Sequence, residues 1–163
     1  MRDVDLPMLP EWIGRAHVRE WWTGEEADLP AEAFRELYLP RVMAVEQVRP
    51  YIALLEGRPI GYAQSYVAKG SGGGWWEGID DPGVRGIDQF LCDASDLGKG
   101  LGTRMVKAFV ERLFSDPAVT RIQTDPDPAN ARAIRCYEKA GFRAVKTIVT
   151  PDGKALYMIR DRA

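Results

Sequence analysis

The run Leu97-Gly98-Lys99-Gly100-Leu101-Gly102-Thr103 constrains this chain more than any other stretch. Three glycines at alternate positions strip the side chains from a turn that opens directly into the amphipathic run Arg104-Met105-Val106-Lys107-Ala108-Phe109-Val110. Such a turn can aim several backbone N–H groups at one point, beside the positive end of a helix dipole, which suits a phosphate or pyrophosphate. The bland alternative is glycine that merely punctuates a helix start. Spacing rules out two other phosphate loops. A Walker loop needs Lys then Ser/Thr after its last glycine, and here Thr103 follows Gly102 directly. The dinucleotide fingerprint needs G-x-G-x-x-G after the first strand of a βαβ unit, whereas this loop reads G-x-G-x-G late in the chain.

A chain of 163 residues is expected to fold as one domain, residues 1–163, with a real core. With 28% charged and 45% hydrophobic residues it reads as globular rather than disordered. The net charge of −2 argues against nucleic-acid binding through a basic surface. No apolar run has the length of a membrane span, and the N-terminus lacks a signal peptide's regions, so a cytoplasmic protein is expected. Cys92 and Cys136 have neither metal-ligand spacing nor a disulfide framework. His17 is the single histidine, which excludes a multi-histidine metal site and argues against a serine-type triad. No metal is expected, and acid–base work falls to carboxylate, tyrosine, cysteine or lysine.

Along the chain, Leu6–Ile13 reads as a short helix with proline near its start, and 21–26 as a loop. A helix from about Ala31 to Leu39 follows Pro30, then two strands, Tyr51–Glu56 and Pro59–Ala68, meet at Gly57-Arg58. Residues 69–85 form a long Gly-rich loop around Trp75-Trp76, and Gly86–Asp93 is a strand leading into the glycine turn. A helix from Gly100 to about Ser115, a strand over Arg121–Thr124 and a helix over Asn130–Ala140 come next, the last closed by Gly141. Phe142–Val149 and Ala155–Arg160 pair through Pro151-Asp152-Gly153. This is a mixed α/β pattern.

The last helix carries a second signature: Asn130 as N-cap, Ala133 three on, Tyr137 seven on, and Gly141-Phe142 at the end. With the glycine loop it resembles the GNAT superfamily of acyl-CoA-dependent N-acetyltransferases, in which such a loop holds the CoA pyrophosphate. Leu97 departs from the pattern, since Gln or Arg usually opens that loop. Five longer strings extend the resemblance over almost the whole chain. They are Glu20-Trp21-Trp22-x-Gly24-Glu25-Glu26-Ala27, Tyr62–Ala68, Gly74-Trp75-Trp76-Glu77, Asp81–Gln89 and Ile122–Pro126. They look like bacterial aminoglycoside 6′-N-acetyltransferases, resistance enzymes that acetylate the 6′-amine of kanamycin-like drugs.

The resemblance implies an α/β fold: a mixed, strongly twisted central sheet flanked by helices, with a splayed pair of strands forming the acetyl-CoA cleft. The strands Gly86–Asp93 and Arg121–Thr124 would part, main-chain groups of Gln89, Phe90 and Leu91 would bond the pantetheine arm, and Gly98, Lys99, Gly100, Leu101, Gly102 and Thr103 would hold the pyrophosphate. Asn130 would both cap its helix and contact CoA. The superfamily also begins with a strand for which Met1–Val4 leaves almost no room. Either the start lies upstream or the sheet lacks that edge strand.

Asp88 is the expected base and cationic anchor, because a primary amine, protonated near neutrality given a lysine reference pKa of about 10.4, cannot attack until it loses a proton. Its structural alternative is pairing with Arg85. Tyr137 is the expected acid for the leaving thiolate, and its alternative is aromatic packing. Asp125 either caps a turn or supplies a second carboxylate for a polycation. Glu46, Gln64, Tyr66, Trp22 and Trp75 complete the expected acceptor site, Gln64 and Tyr66 by sharing a strand face and the indoles by covering a sugar ring. The expected reaction is acetyl transfer from acetyl-CoA to an aminoglycoside 6′-amine by direct attack. Its rivals are an N-acetyltransferase for a peptide, polyamine or siderophore precursor, and a non-catalytic CoA-binding module.

Overall fold

The computed structural model describes residues 1–22 and 24–162, residues 25 and 27 by their backbone alone. Five α-helices and six strands occur among them: α1 Met8–Ile13, α2 Ala16–Arg19, α3 Ala31–Val42, β1 Arg49–Leu55, β2 Arg58–Val67, β3 Val84–Leu91, α4 Leu101–Phe114, β4 Arg121–Thr124, α5 Ala131–Lys139, β5 Arg143–Thr150 and β6 Gly153–Asp161. The strands form one mixed sheet in the order β1-β2-β3-β4-β6-β5. The β3–β4 pair is parallel, and β4–β6 and β5–β6 are antiparallel. The chain groups into two compact units, residues 1–64 with 89–99, and residues 65–88 with 100–163.

In the first unit the core is aromatic and aliphatic. Leu9, Trp12 and Ile13 fall at helical spacing on α1 and are buried beside Val18, Phe34, Tyr38, Tyr62 and Phe90. Phe34 and Tyr38, four apart on α3, stack with centroids 4.3 Å apart. That anchorage carries α3 through Pro40 to Val42, past the expected end at Leu39. Pro40 leaves the last turn of α3 one intrahelical N–H bond short. A short α2 precedes the expected loop 21–26, a 3-10 turn over Glu25–Asp28 replaces the end of it, and Thr23 lies outside the described residues. No strand precedes β1 among the described residues. Residues 3–5 form a 3-10 turn, and the Met1 ammonium donates to the Pro50 carbonyl.

The second unit is built on β3, β4, β5 and β6 with α4 and α5. Met105, Val106, Phe109, Val110 and Leu113 make the buried stripe of α4. Its last turn is held by Arg162, whose guanidinium donates to the carbonyls of Phe114, Asp116 and Val119. The parallel ladder of β3 and β4 runs from Val84↔Arg121 to Gly86↔Gln123. Beyond it β3 continues through Ile87 and Asp88, while β4 ends at Thr124. The two strands expected to part therefore share only a short ladder.

Candidate active site

Residues of the second unit assemble an acidic cluster. Tyr66 ends β2, Asp88 lies on β3 two residues past the ladder, Asp125 follows β4, and Tyr137 is on α5. Gly86 is what lets the Tyr66 ring in: a Cβ there would stand 2.3 Å from two ring carbons. Trp76 fixes the ring from the loop side, its indole Nε1–H donating to the Tyr66 hydroxyl at 3.1 Å. Trp76 does so from a left-handed backbone, φ +55°, which costs a bulky residue about 1–2 kcal/mol. Packing of its buried ring against Ala68, Val84 and Tyr157 offsets that strain.

The electrostatics of this cluster run one way. Burial, then the charge of Asp88, then that of Asp152 push the Asp125 carboxyl up to about 8. Burial also pushes the Tyr66 phenol well above its ordinary value, with Asp88, Asp125 and Tyr137 adding to the rise and the bond from Trp76 opposing it. Carboxyl groups bear on both: Asp88 and Asp152 on Asp125, and Asp88 and Asp125 on Tyr66. Such a group of carboxylates is stabilised by a cation. Asp125 is not the residue that caps the turn before α5. Asp127 accepts from Ala129 N–H at 2.7 Å and Asn130 from Ala133 N–H at 3.0 Å. Arg85, the alternative partner considered for Asp88, donates instead to the carbonyls of Pro82 and Val84. Tyr137 is 4% exposed and packs edge-on against Phe142, centroids 5.3 Å apart, and its phenol bears on Tyr66.

The glycine turn has the backbone its sequence implies. Gly98 and Gly100 both lie at positive φ, +74° and +80°, with open space where a Cβ would be. Gly100 is the N-cap of α4, and no side chain caps that end. The first-turn N–H groups of Leu101, Gly102 and Thr103 thus begin a helix of 14 residues at an exposed turn. That geometry fits the pyrophosphate of a CoA ester. Lys99 is exposed on the same turn.

In the first unit, Phe90 packs its ring on Tyr62 and Trp22, and His17 bonds the Leu91 carbonyl at 3.0 Å. Trp22 is half-buried, edge-on to Tyr62 and Phe90, with its Nε1–H on Glu26 at 3.1 Å. The Gln64 amide oxygen accepts from the Tyr62 hydroxyl at 2.8 Å. Glu46 is exposed, 3.4 Å from the Arg41 guanidinium. In the second unit, Trp75 is half-buried and lines an open concavity of about 460 Å³ with Lys69, Trp76, Glu77 and Asp80.

A match to the Acetyltransferase (GNAT) domain spans residues 2–150. The chain belongs to the GNAT acetyltransferase family. It is 64% identical over 162 residues to the aminoglycoside N(6′)-acetyltransferase type 1 of Klebsiella pneumoniae, covering 99% of this chain and 81% of that one. Among solved structures it is similar to AAC(6′)-Ib in complex with ribostamycin and coenzyme A, at 64% identity and a TM-score of 0.94, over 99% of this chain and 90% of that one. The AAC(6′)-Ib complex with coenzyme A and kanamycin matches at 62% identity and a TM-score of 0.92, over 99% and 92% of the two chains. The mixed sheet flanked by helices is thus the GNAT fold, and the chain is an acetyltransferase whose acyl donor is acetyl-CoA.

Two members of the GNAT cluster escaped the sequence reading. Asp152 sits in the β5–β6 turn, where an aspartate is ordinary turn chemistry, and only the folded hairpin brings its charge to bear on Asp125. Trp75 is the indole expected from the sequence and Trp76 the one that reaches Tyr66, because nothing in a Trp-Trp doublet says which indole turns inward. Burial raises both the Cys92 and Cys136 thiols, so neither resembles a reactive thiolate. Among the described residues no group of His, Cys, Asp and Glu is placed to hold a metal, and no helix is long and apolar enough to cross a membrane.

Proposed function

We propose that residues 1–163 form a single acetyltransferase domain that moves the acetyl group of acetyl-CoA onto the 6′-amine of aminoglycosides, in the cytoplasm, and so confers resistance to them. One observation supports this reading above the others: the carboxyl groups of Asp88, Asp125 and Asp152 bear on one another and on Tyr66. An aminoglycoside carries several ammonium groups, and clustered carboxylates are what balance them. The close relatives named above fit the same substrate class.

In this reading Asp88 binds the 6′-ammonium and accepts its proton, directly or through water. The freed nitrogen lone pair attacks the thioester carbonyl carbon, the C–S bond breaks, and the Tyr137 hydroxyl protonates the departing thiolate. Asp125 balances further ammonium groups, with Tyr66 and Trp75 beside the acceptor. Main-chain groups of Gln89, Phe90 and Leu91 bond the pantetheine arm. Gly98 to Thr103 hold the pyrophosphate, and Asn130 contacts CoA while capping α5. An acyl-cysteine route is disfavoured by the raised thiols of Cys92 and Cys136.

The test is thiol release from acetyl-CoA across an acceptor panel. Kanamycin-type drugs with a 6′-amine should turn over, and analogues with a 6′-hydroxyl should not. Equal rates on both would remove the 6′ assignment. Turnover of a peptide or polyamine with none of any aminoglycoside would replace the substrate class.

A further inference from the structure

The Tyr66 hydroxyl has one hydrogen to give and lone pairs to receive. An indole N–H can only donate. The 3.1 Å contact from Trp76 Nε1 therefore fixes the sense of the bond: Tyr66 Oη accepts, and its own hydrogen must turn elsewhere. The Tyr66 ring sits on Gly86, Asp88 lies two residues further along the same face of β3, and the charges of Asp88 and Asp125 both bear on the phenol. We propose that Trp76 is a positioning residue for the acceptor site, setting the Tyr66 hydroxyl as a donor toward the Asp88–Asp125 pair.

Three independent features support the role. Trp76 is held at φ +55°, a conformation an indole-bearing residue adopts only when its surroundings demand it. Gly86 leaves a gap that the Tyr66 ring fills, so the phenol cannot swing away from the indole. On the far side of Trp76 the Tyr157 ring packs with centroids 5.7 Å apart, and its hydroxyl donates to Gln123 Oε1 at 2.9 Å. Gln123 is fully buried on β4, so the brace behind the indole is rigid. The phenol stays neutral because burial and the carboxylates raise it, and it remains a donor throughout the working range. A donor here favours the ionised form of Asp88, and that of Asp125 once an incoming ammonium has drawn off its proton.

This inference rests on the acceptor site being at Asp88 and Asp125. The experiment is a double-mutant cycle on Trp76→Phe and Tyr66→Phe, reading the KM for kanamycin, the KM for acetyl-CoA and kcat. Each single change should raise the kanamycin KM roughly five- to twentyfold and leave the acetyl-CoA KM within about twofold. The double variant should be no worse than Tyr66→Phe alone, because the indole acts only through the hydroxyl. Multiplying effects would overturn the proposal, since packing alone gives them. So would an unchanged kanamycin KM in Trp76→Phe. If the smaller Phe ring unfolds the loop, site-specific benzothienylalanine at 76 keeps the shape and removes the N–H, and the same KM rise is expected. A kanamycin KM unmoved by Tyr66→Phe and by Asp125→Asn would instead remove the acceptor site itself.

Discussion

Two tryptophan doublets look alike in sequence and lie in different settings. In the first, Trp22 is wedged edge-on between Tyr62 and Phe90, and its N–H ends on Glu26, which also accepts from Tyr38 at 3.5 Å. In the second, Trp76 occupies a strained backbone, and its N–H ends on Tyr66, a phenol surrounded by carboxylates. The first indole completes an aromatic core. The second braces a phenol on which the carboxyl groups of Asp88 and Asp125 bear. What separates structure from function is thus the partner of the N–H, which the doublet itself does not encode.

The sharpest way to break this contrast is at Asp88. Asp88→Asn should lower kcat/KM for a 6′-amino aminoglycoside by about 10²–10⁴, as expected for losing a general base that also anchors the amine. Tyr137→Phe should lower kcat in the same range while leaving the acetyl-CoA KM nearly unchanged. Steady-state kinetics with thiol detection reads both, and wild-type turnover in either variant sinks that residue's role.

Asp125→Asn should have the next largest effect. Losing a charge-assisted bond costs about 1.5–3 kcal/mol, so the acceptor KM should rise by roughly one to two decades with acetyl-CoA binding unaffected. The penalty should shrink as salt rises, to the extent that solvent reaches the site.

Trp22→Phe should act mainly on stability. It loses the bond to Glu26 and part of two aromatic contacts, about 1–3 kcal/mol together, read as a fall of a few degrees in Tm. An acceptor KM that rises as far as in Asp125→Asn would place both doublets in one site and erase the distinction.

Much of the fold was legible because its signals are local. Gly100 and Asn130 mark the starts of α4 and α5, and β4 matches its expected bounds, Arg121–Thr124. The end of α3 was less so, since the stacked Phe34 and Tyr38 anchor a helix that runs through Pro40 to Val42, past Leu39. The site was legible in part for the same reason. Asp88, Asp125 and Tyr137 stand in recognisable strings, and the structure brings their charges to bear on Tyr66. Asp152 and the αL backbone of Trp76 were not visible, because a turn aspartate and an aromatic at positive φ depend on what distant segments place around them.

The claim that this acidic cluster receives a polycation is tested most directly by counting protons released on acceptor binding. Below about pH 8 Asp125 is mostly protonated in the free protein, because its pKa is raised to about 8. Ammonium groups beside it favour the carboxylate and draw that pKa down, so the proton leaves on binding. Well above pH 8 the carboxyl is already ionised and has no proton to give. Calorimetry of kanamycin binding at pH 7, in buffers of differing ionisation enthalpy, should show the wild type releasing most of one proton more than Asp125→Asn, with the difference vanishing near pH 10. Equal release by both proteins at pH 7 would contradict the account.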